Sequence, residues 1–257
     1  MSVPTSTARA LFEALESGTP IAPIRDSIDN SIETAYAIQK EFVDLRVKRG
    51  EKIVGKKIGL TSFAVQEQLG VDQPDYGMLF DTMDVSKKKE LDSSKLINPK
   101  VEGELTFVLG KDISTSEITM EVLIDAIAEV RSSIEIVDSR VKDWNIRISD
   151  TIADNASGSH FLLGSDYKTL KDLNPASITM RLYKNDVLAS EGNGKACMDN
   201  PLNAALWLAQ KMAQQGAPLI KGEILLSGAL GPMVPVASGD QVRLEVDGFS
   251  NIELKIL

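Results

Sequence analysis

The chain has 257 residues, of which 43% are hydrophobic and 25% charged, values that are typical of a globular protein. A net charge of −9, with no basic run longer than the lysine triplet at 87–89, argues against nucleic acid as a partner. The single cysteine, Cys197, excludes an intrachain disulfide, and no apolar run reaches the roughly 18 residues of a membrane span. Since no secretory leader is evident, we expect a cytoplasmic protein that does not enter a membrane.

The first fifty residues have the periodicity of helices. Ser6 is a candidate cap for a first helix that ends near Gly18, and Asn30 is a candidate N-cap for a second helix that stops at Gly50. The second helix carries an apolar stripe formed by Ala35, Ile38, Phe42 and Leu45. We interpret the two helices as a cap that packs on the rest of the chain.

Strand patterns dominate after residue 52. Strands are predicted at 53–60, 76–80, 101–109, 133–140, 178–182 and 187–189 and in the tail 224–257, and helices at 62–70, 119–130 and 200–216. The pair Asn185-Asp186 indicates a hairpin turn. Because the strands are short and lack β–α–β alternation, we predict an α+β fold, a mixed β-roll with an N-terminal helical cap. We expect one domain over 1–257, with the cap at 1–50 and the body at 51–257.

Glu102 and Glu104 stand in an otherwise apolar strand. Side chains two residues apart on a strand share one face, so both carboxylates lie on the same side, roughly 6.6 Å apart along the strand. Like charges in a half-buried sheet repel each other and lose hydration, and a divalent cation would relieve both costs. The alternative that stays open is a solvated edge strand with two surface acids.

A third acid, Glu135, is embedded in another apolar run. Three carboxylates on strands, without a cluster of Cys or His, suit a hard cation that prefers oxygen ligands. Asp138 points to the opposite face of a regular strand, so we expect it to form an ion pair with Arg140 instead.

Lys57 is the best candidate for acid–base chemistry. On a strand, Lys56 and Lys57 face opposite sides, which predicts that one lies inside and the other in water. A partly desolvated lysine near a metal has a lowered pKa and exchanges protons near neutral pH. The alternative is an ordinary surface lysine.

Several other polar segments have simpler explanations. The turn that contains Asp75 and the polar segment 143–155 read either as site loops or as ordinary surface turns. The segment 228–233 offers backbone amides that suit an anionic substrate, and is equally a turn. We expect His160 to be structural and Cys197 to be a small buried residue, since neither has a partner for nucleophilic catalysis.

Taken together, these segments resemble the hydratase/decarboxylase family of the meta-cleavage pathways for aromatic compounds, within the fumarylacetoacetate hydrolase superfamily. The resemblance rests on residues 55–61, 70–77, 101–104, 134–140, 150–157 and 201–208. Segment 228–233 resembles the hydratases more than the oxalocrotonate decarboxylases. Two departures stand out: Asn200 occupies a position where relatives often have His, and residues 158–160 differ from the usual pattern.

The resemblance implies a β-roll with a Mg²⁺ or Mn²⁺ ion and a homo-oligomer. It assigns metal ligation to Glu102, Glu104 and Glu135, and proton transfer to Lys57 assisted by Asp75. The residues that it implies for substrate binding are Leu60, Asp154, Ser157, Gly228 and Leu230.

The activity implied is the addition of water to 2-hydroxypenta-2,4-dienoate (2-oxopent-4-enoate) to give 4-hydroxy-2-oxopentanoate, by a hydro-lyase. Decarboxylation of a 2-oxo-enedioate and hydrolysis of an acylpyruvate remain open, as does a non-catalytic metal-binding subunit. Association with a downstream aldolase or a pathway decarboxylase is also open.

Overall fold

The computed structural model describes residues 3–114 and 117–257, with no side chain described at 68 and 69. Six α-helices form in these ranges: α1 Val3–Ser17, α2 Ile32–Lys48, α3 Phe63–Leu69, α4 Met120–Ala126, α5 Ile148–Ala153 and α6 Pro201–Gln214. The strands are β1 Ile53–Gly59, β2 Asp75–Phe80, β3 Glu90–Leu91, β4 Lys100–Leu109, β5 Ile127–Val137, β6 Gly158–Leu163, β7 Thr179–Lys184, β8 Val187–Asn193, β9 Ile224–Ala229, β10 Val234–Pro235, β11 Gln241–Val246 and β12 Ile252–Ile256. No helix of the described ranges has the length and apolarity needed to cross a bilayer.

The strands form two sheets. The larger sheet has the order β2-β1-β9-β4-β5-β6, with β10 paired to β4, and the smaller has the order β3-β12-β11-β7-β8. Among the strand pairs of the described residues, β1–β9 and β12–β3 are parallel and the others antiparallel. The main core lies between the sheets and beneath α6, and includes Leu105, Phe107, Leu208 and Leu244. These layers confirm the predicted α+β roll.

The N-terminal helices have their own core. Leu11 of α1 and Ile38 and Phe42 of α2 pack with Ile152 of α5. Helix α5 continues into residues 154–157, and the carbonyl of Ala156 there accepts a hydrogen bond from Lys57. The N-terminal helices therefore contact the segment that leads to Lys57. The division into a cap at 1–50 and a body at 51–257 stays a prediction.

The predicted hairpin is confirmed. β7 and β8 pair in antiparallel fashion on either side of Asn185 and Asp186, whose φ angles are 52° and 63°. Both residues take the left-handed conformation that a two-residue type I′ turn requires. Helix α3 ends at Gly70, which is left-handed, and Pro201 begins α6 directly after Asn200, which caps it.

Three predicted boundaries are wrong. The helix expected at 119–130 stops at Ala126, because the following residues pair along β4 as strand β5, and sheet pairing overrides the helical spacing. The N-cap of α2 is Ser31, whose hydroxyl accepts from Thr34, and not Asn30. Helix α1 begins before Ser6, whose hydroxyl donates to the carbonyl of Val3.

Candidate metal and active site

Three glutamates on two neighbouring strands face one another. Glu102 and Glu104 lie on β4, and Glu135 on β5 is the direct cross-strand partner of Glu102. One oxygen from each carboxylate lies within 4.8 Å of the other two. The alternation of side chains places two acids on one face of β4, and the pairing with β5 adds the third. The structure therefore brings the three predicted ligands together, while their role as ligands stays a prediction.

The carboxylates of this cluster lack the partners that buried charges need. Glu104 Oε1 and both oxygens of Glu135 are buried without a hydrogen bond, whereas Glu104 Oε2 accepts from the backbone N of Gly228 at 2.9 Å. Burial, followed by repulsion from Glu135, raises the pKa of Glu102 to about 7 and raises that of Glu104 well above its usual range. A divalent cation with oxygen ligands would offset both effects, so these residues fit one.

Lys57 reaches the same cluster from β1. Its Nζ lies 3.0 Å from Glu135 Oε1 and donates to the carbonyl oxygen of Ala156 at 3.0 Å. Burial acts to lower the pKa of Lys57, but attraction from Glu135 and from Asp75 outweighs it, so the pKa is raised. Without a metal, the pKa of Lys57 is therefore raised, whereas the sequence analysis expected a lowered pKa beside a bound metal. The lowered pKa stays a prediction for the enzyme with its cation bound.

Asp75 begins β2 and is buried next to Lys57. Its Oδ2 accepts from the hydroxyl of Thr151 at 3.1 Å, while Oδ1 has no hydrogen-bond partner. Burial raises the pKa of Asp75, and Lys57 partly offsets this. Gly59 is the cross-strand partner of Asp75, and a side chain there would collide with Asp75 Oδ1. The site therefore holds a further carboxylate oxygen without a hydrogen bond, on a residue whose charge acts on Lys57 as those of the glutamates do.

A cavity of about 390 Å³ opens beside Glu102. The only charged side chain among the described residues that line it is Glu102. Apolar side chains make up most of its wall: Ile58, Leu60, Val65, Ala196, Ala229, Pro232 and Met233. Such a space accommodates an uncharged organic group in contact with the carboxylate cluster.

The five predicted substrate-binding residues do not all meet in this cavity. Leu60 lines it in a left-handed conformation, and the backbone N of Gly228 is held by Glu104. The Asp154 carboxylate lies 2.5 Å from Arg140 Nε and accepts from the hydroxyl of Ser157 at 3.4 Å, outside the cavity wall. Leu230 is fully buried in the main core. Among the described residues, the cavity wall includes Leu60 and none of the other four, and the roles of all five stay predictions.

Two further expectations about charged pairs are wrong. Arg140 pairs with Asp154 and not with Asp138, whose carboxylate accepts from the backbone N of Ile97 and of Asn98. Sequence spacing favoured Asp138, which is two residues from Arg140, but the fold of the chain brings Asp154 into contact with Arg140 instead. Lys56 is buried rather than solvated, because it pairs with Glu223.

The sequence analysis included Thr151, Asn155 and Thr61 in its motifs but assigned none of them an individual role. Thr151 hydrogen bonds to Asp75, Asn155 binds the edge of β2, and Thr61 lines the cavity. The first two lie in the motif 150–157, so its resemblance was the available signal. Their contacts span more than seventy residues of sequence, which spacing within a motif does not reveal.

His160 and Cys197 have structural surroundings, as expected. The Nδ1 of His160 lies 2.8 Å from the Ser159 hydroxyl, and burial, with repulsion from Arg46, lowers the pKa of His160 to about 4. Cys197 is buried, and burial raises the pKa of its thiol to about 12.

Comparison with known proteins agrees with this geometry. The profile of the fumarylacetoacetate (FAA) hydrolase C-terminal family matches residues 84–257. The chain belongs to this family. It is 47% identical over 248 residues to a 2-keto-4-pentenoate hydratase of Burkholderia vietnamiensis, covering 96% of this chain and 95% of the relative. It is 39% identical to a 2-hydroxyhexa-2,4-dienoate hydratase of Comamonas testosteroni, covering 95% of this chain and 94% of the relative.

Solved structures of FAA hydrolase relatives share the fold. A 4-oxalocrotonate decarboxylase from Pseudomonas putida G7, complexed with magnesium and adipate, superposes with a TM-score of 0.95 at 29% identity, over 99% of this chain and 97% of that one. A fumarylpyruvate hydrolase from Pseudomonas aeruginosa, in complex with Mn²⁺ and pyruvate, reaches 0.62 at 13% identity, over 79% and 88%. The second likeness shows the fold alone.

Proposed function

We propose that this FAA hydrolase family member is a metal-dependent hydratase that adds water to 2-hydroxypenta-2,4-dienoate and releases 4-hydroxy-2-oxopentanoate. The observation that carries the proposal is the cluster of buried carboxylates in which Glu104 Oε1 and Glu135 Oε2 have no partner and Glu135 Oε1 has only the Lys57 amine, next to an apolar cavity. The relatives named as hydratases support the same reaction class.

Glu102, Glu104 and Glu135 would hold Mg²⁺ or Mn²⁺. When bound there, a divalent cation supplies Lewis-acid polarisation of the 2-oxo group and neutralises the developing enolate charge. Lys57 is within reach of the same space, since its Nζ lies 3.0 Å from Glu135. The chain's contribution is thus an oxygen-lined cation site with a proton donor fixed next to it.

Lys57 moves protons on the carbon skeleton of the substrate. The dienol gains a proton at C5 as its 2-hydroxyl loses one, which leaves a conjugated 2-oxo-3-enoate. Water then adds at C4 and a proton at C3, so the net change is the gain of one water molecule. Asp75 orients Lys57 or the attacking water through its free Oδ1, and Thr151 fixes the other oxygen of Asp75.

A decarboxylase acting on a 2-oxo-enedioate is the second candidate, because the superposed decarboxylase has 29% identity. The cavity wall favours the hydratase. A dicarboxylate presents a second negative charge, and burying that charge without a cation is costly. Lys, Arg and His do not occur among the described residues that line the cavity. We therefore propose a monocarboxylate with an uncharged tail as the substrate.

The decisive experiment follows the ultraviolet absorbance of 2-hydroxypenta-2,4-dienoate after removal of metal with a chelator and readdition of Mg²⁺ or Mn²⁺. We expect consumption only with the cation, together with formation of 4-hydroxy-2-oxopentanoate. A parallel assay measures CO₂ release from 2-oxohex-3-enedioate. Release of CO₂ at a higher kcat/KM than dienoate hydration would assign the chain to the decarboxylases.

The cavity charge is tested separately with Met233→Arg, which places a cation at the partly exposed end of the wall. We expect the ratio of kcat/KM for the dicarboxylate over the monocarboxylate to rise by about tenfold, as one close ion pair contributes roughly 1 kcal/mol or more. Met233→Leu is the control for side-chain bulk. An unchanged ratio would show that the substrate tail does not face this wall.

We also propose that the enzyme works as a homo-oligomer in the cytoplasm, as the family resemblance implies. Sedimentation of the purified chain at several concentrations gives its subunit number. A monomer with full hydratase activity would refute the oligomeric part of the proposal alone.

A further inference from the structure

The chain beside Lys57 adopts an unusual backbone conformation. Asn155, Ala156 and Ser157 are three consecutive non-glycine residues with φ angles of 54°, 50° and 51°. L-residues avoid this left-handed region, and runs of it are rare because each residue brings its Cβ close to the backbone. All three are buried, so the surrounding protein holds the conformation in place. We call residues 155–157 the left-handed turn.

The side chain of Asn155 fixes this turn to the edge of the larger sheet. Its Oδ1 accepts from the backbone N of Met78 at 2.7 Å, and its Nδ2 donates to the carbonyl of Met78 at 2.9 Å. One amide thus satisfies both backbone groups of a residue on the edge strand β2. Asn is the residue that combines tolerance of the left-handed region with a donor and an acceptor on a short side chain.

We call these two hydrogen bonds between Asn155 and Met78 the clamp. The clamp lies one residue after the strand position opposite Lys57. Gly77 is the cross-strand partner of Lys57, and a Cβ at Gly77 would collide with the carbonyl oxygen of Asn155. On the other side of the turn, a Cβ at Gly158 would lie 3.5 Å from Lys57 Cδ. The left-handed turn therefore packs against the backbone of Gly77, opposite Lys57, and Gly158 after the turn lies next to the Lys57 side chain.

The left-handed turn contacts the Lys57 amine directly. The carbonyl of Ala156 accepts from Lys57 Nζ at 3.0 Å, and this is the one hydrogen bond that the described residues give that amine besides its ion pair with Glu135. In a right-handed or extended conformation, the Ala156 carbonyl would point in another direction. The strained conformation therefore decides where the nitrogen of Lys57 sits.

We propose that Asn155 is a positioning residue for proton transfer: its clamp on Met78 holds the left-handed turn, and the Ala156 carbonyl then aims Lys57 Nζ at the substrate. The inference rests on the proposed role of Lys57. Strained backbone is retained where function requires a fixed geometry, and this strain is in direct contact with the amine. A misplacement of about 1 Å in a reacting group is enough to lower a rate by about 100-fold.

The test uses Asn155→Gly, which keeps the freedom for positive φ and removes the clamp. The matched control is Asn185→Gly in the β7–β8 hairpin, where an Asn with φ of 52° also loses two hydrogen bonds, to Asp240 and Gln241. The probe is 2-oxopentanoate, a saturated substrate analogue, with Mg²⁺ present. Two quantities are measured: the Kd of the probe by calorimetry, and the rate of deuterium exchange at its C3 by NMR. Exchange requires the amine to take a proton from C3 and return a deuteron.

We expect Asn155→Gly to lower the exchange rate 10- to 100-fold while the Kd changes less than threefold, and Asn185→Gly to change neither. If Asn155→Gly is poorly folded, Asn155→Asp replaces it: the carboxylate keeps the acceptor for Met78 N, loses the donor and adds one negative charge, and the Kd of the probe reports whether that charge disturbs binding. Exchange within twofold of the native rate, or an equal loss in Asn185→Gly, would overturn the inference.

Lys57→Met separates this inference from the proposed function. Loss of exchange in Lys57→Met with native exchange in Asn155→Gly would refute the positioning role and leave the hydratase proposal intact. Native exchange in Lys57→Met would instead remove Lys57 from proton transfer, and the inference with it.

Discussion

Individual residues at the site are arranged for chemistry at the expense of stability. Glu135 is buried with neither oxygen hydrogen bonded, and Asp75 keeps one oxygen free. Buried unpaired acceptors cost about 1–3 kcal/mol each, and more when charged. The neighbouring pair of Arg140 and Asp154 is fully engaged by contrast. Among the described residues, four of the seven buried side-chain oxygens without a hydrogen bond belong to Asp75, Glu104 and Glu135 of the proposed reaction centre.

Replacing Glu104 with Gln should weaken the cation site. Glu104→Gln removes one negative oxygen from the cluster, and we expect the affinity for Mg²⁺ to fall by roughly tenfold or more and turnover to be lost at low Mg²⁺. Calorimetric Mg²⁺ titration measures the affinity. The control is Glu253→Gln, an exposed acid on β12. Native Mg²⁺ affinity in Glu104→Gln would exclude Glu104 as a ligand.

The metal-free protein should lose stability as the pH rises. Folding raises the pKa of Glu102 from 4.5 to about 7. An acid with a raised pKa contributes its full stability below the unfolded value and loses it as pH rises through the folded value. In chelator, we therefore expect the Tm of Glu102→Gln minus that of the native protein to grow by a few degrees between pH 5 and pH 8, and Mg²⁺ to shrink the difference. A difference independent of pH would contradict this.

At the scale of elements, the sheet edge and the left-handed turn depend on each other. β2 is the edge strand of the larger sheet, and Asn155 satisfies both backbone groups of Met78 there. Gly77 permits this approach because it has no side chain on the side of the turn. The edge strand β2 thus shapes the site through the backbone of Gly77 and Met78, which carry no charge.

Gly77→Ala tests this dependence. The added methyl collides with backbone, which cannot swing away as a flexible side chain would, so we expect a destabilisation of about 1–3 kcal/mol and a lower kcat. Chemical denaturation and steady-state kinetics measure the two effects. Gly216→Ala is the control, because no atom lies near its Cβ position and its φ of 69° adds only the strain of the left-handed region. Equal kcat values in both variants would show that the turn tolerates displacement.

Across the whole molecule, one buried amide of the helical cap binds both β2 and α5 beside the site. Gln39 of α2 donates to the carbonyl of Tyr76 on β2 at 2.7 Å and to that of Ile152 on α5 at 2.9 Å. The cap therefore contacts both the strand that carries Asp75 and the helix that leads into the left-handed turn. The same two hydrogen bonds of Gln39 therefore contribute both to the packing of the cap and to the geometry of the site.

Gln39→Leu should affect both properties. The change removes two buried hydrogen bonds, from the side chain to the carbonyls of Tyr76 and Ile152, and each contributes about 1 kcal/mol. We expect a lower free energy of unfolding together with a reduced kcat, and denaturant titration with kinetics on the same samples checks this. Gln210→Leu, which removes a bond to the carbonyl of Ile118 on the far side of the molecule, should leave kcat unchanged. An unchanged kcat in Gln39→Leu would show that the contacts of the cap with β2 and α5 do not affect the geometry of the site.

The sequence by itself determined the pieces whose signals are local. Alternation placed Glu102 and Glu104 on one face, the Asn185-Asp186 pair specified its hairpin, and the pattern of short strands indicated the α+β roll. These features depend on side-chain direction and backbone preference within a few residues, so the printed order of residues is enough. The boundary at Ala126 was missed because pairing with β4, a non-local event, converted an apparent helix into strand.

Only the tertiary structure decided which distant groups meet. It brought Glu135 opposite Glu102, gave Asp154 rather than Asp138 to Arg140, and buried Lys56 with Glu223. It also placed the Ala156 carbonyl on Lys57 across ninety-nine residues of sequence. Such contacts are chosen by the lowest total cost of burying charge within a packed sheet, and that cost is a property of the whole fold rather than of any segment.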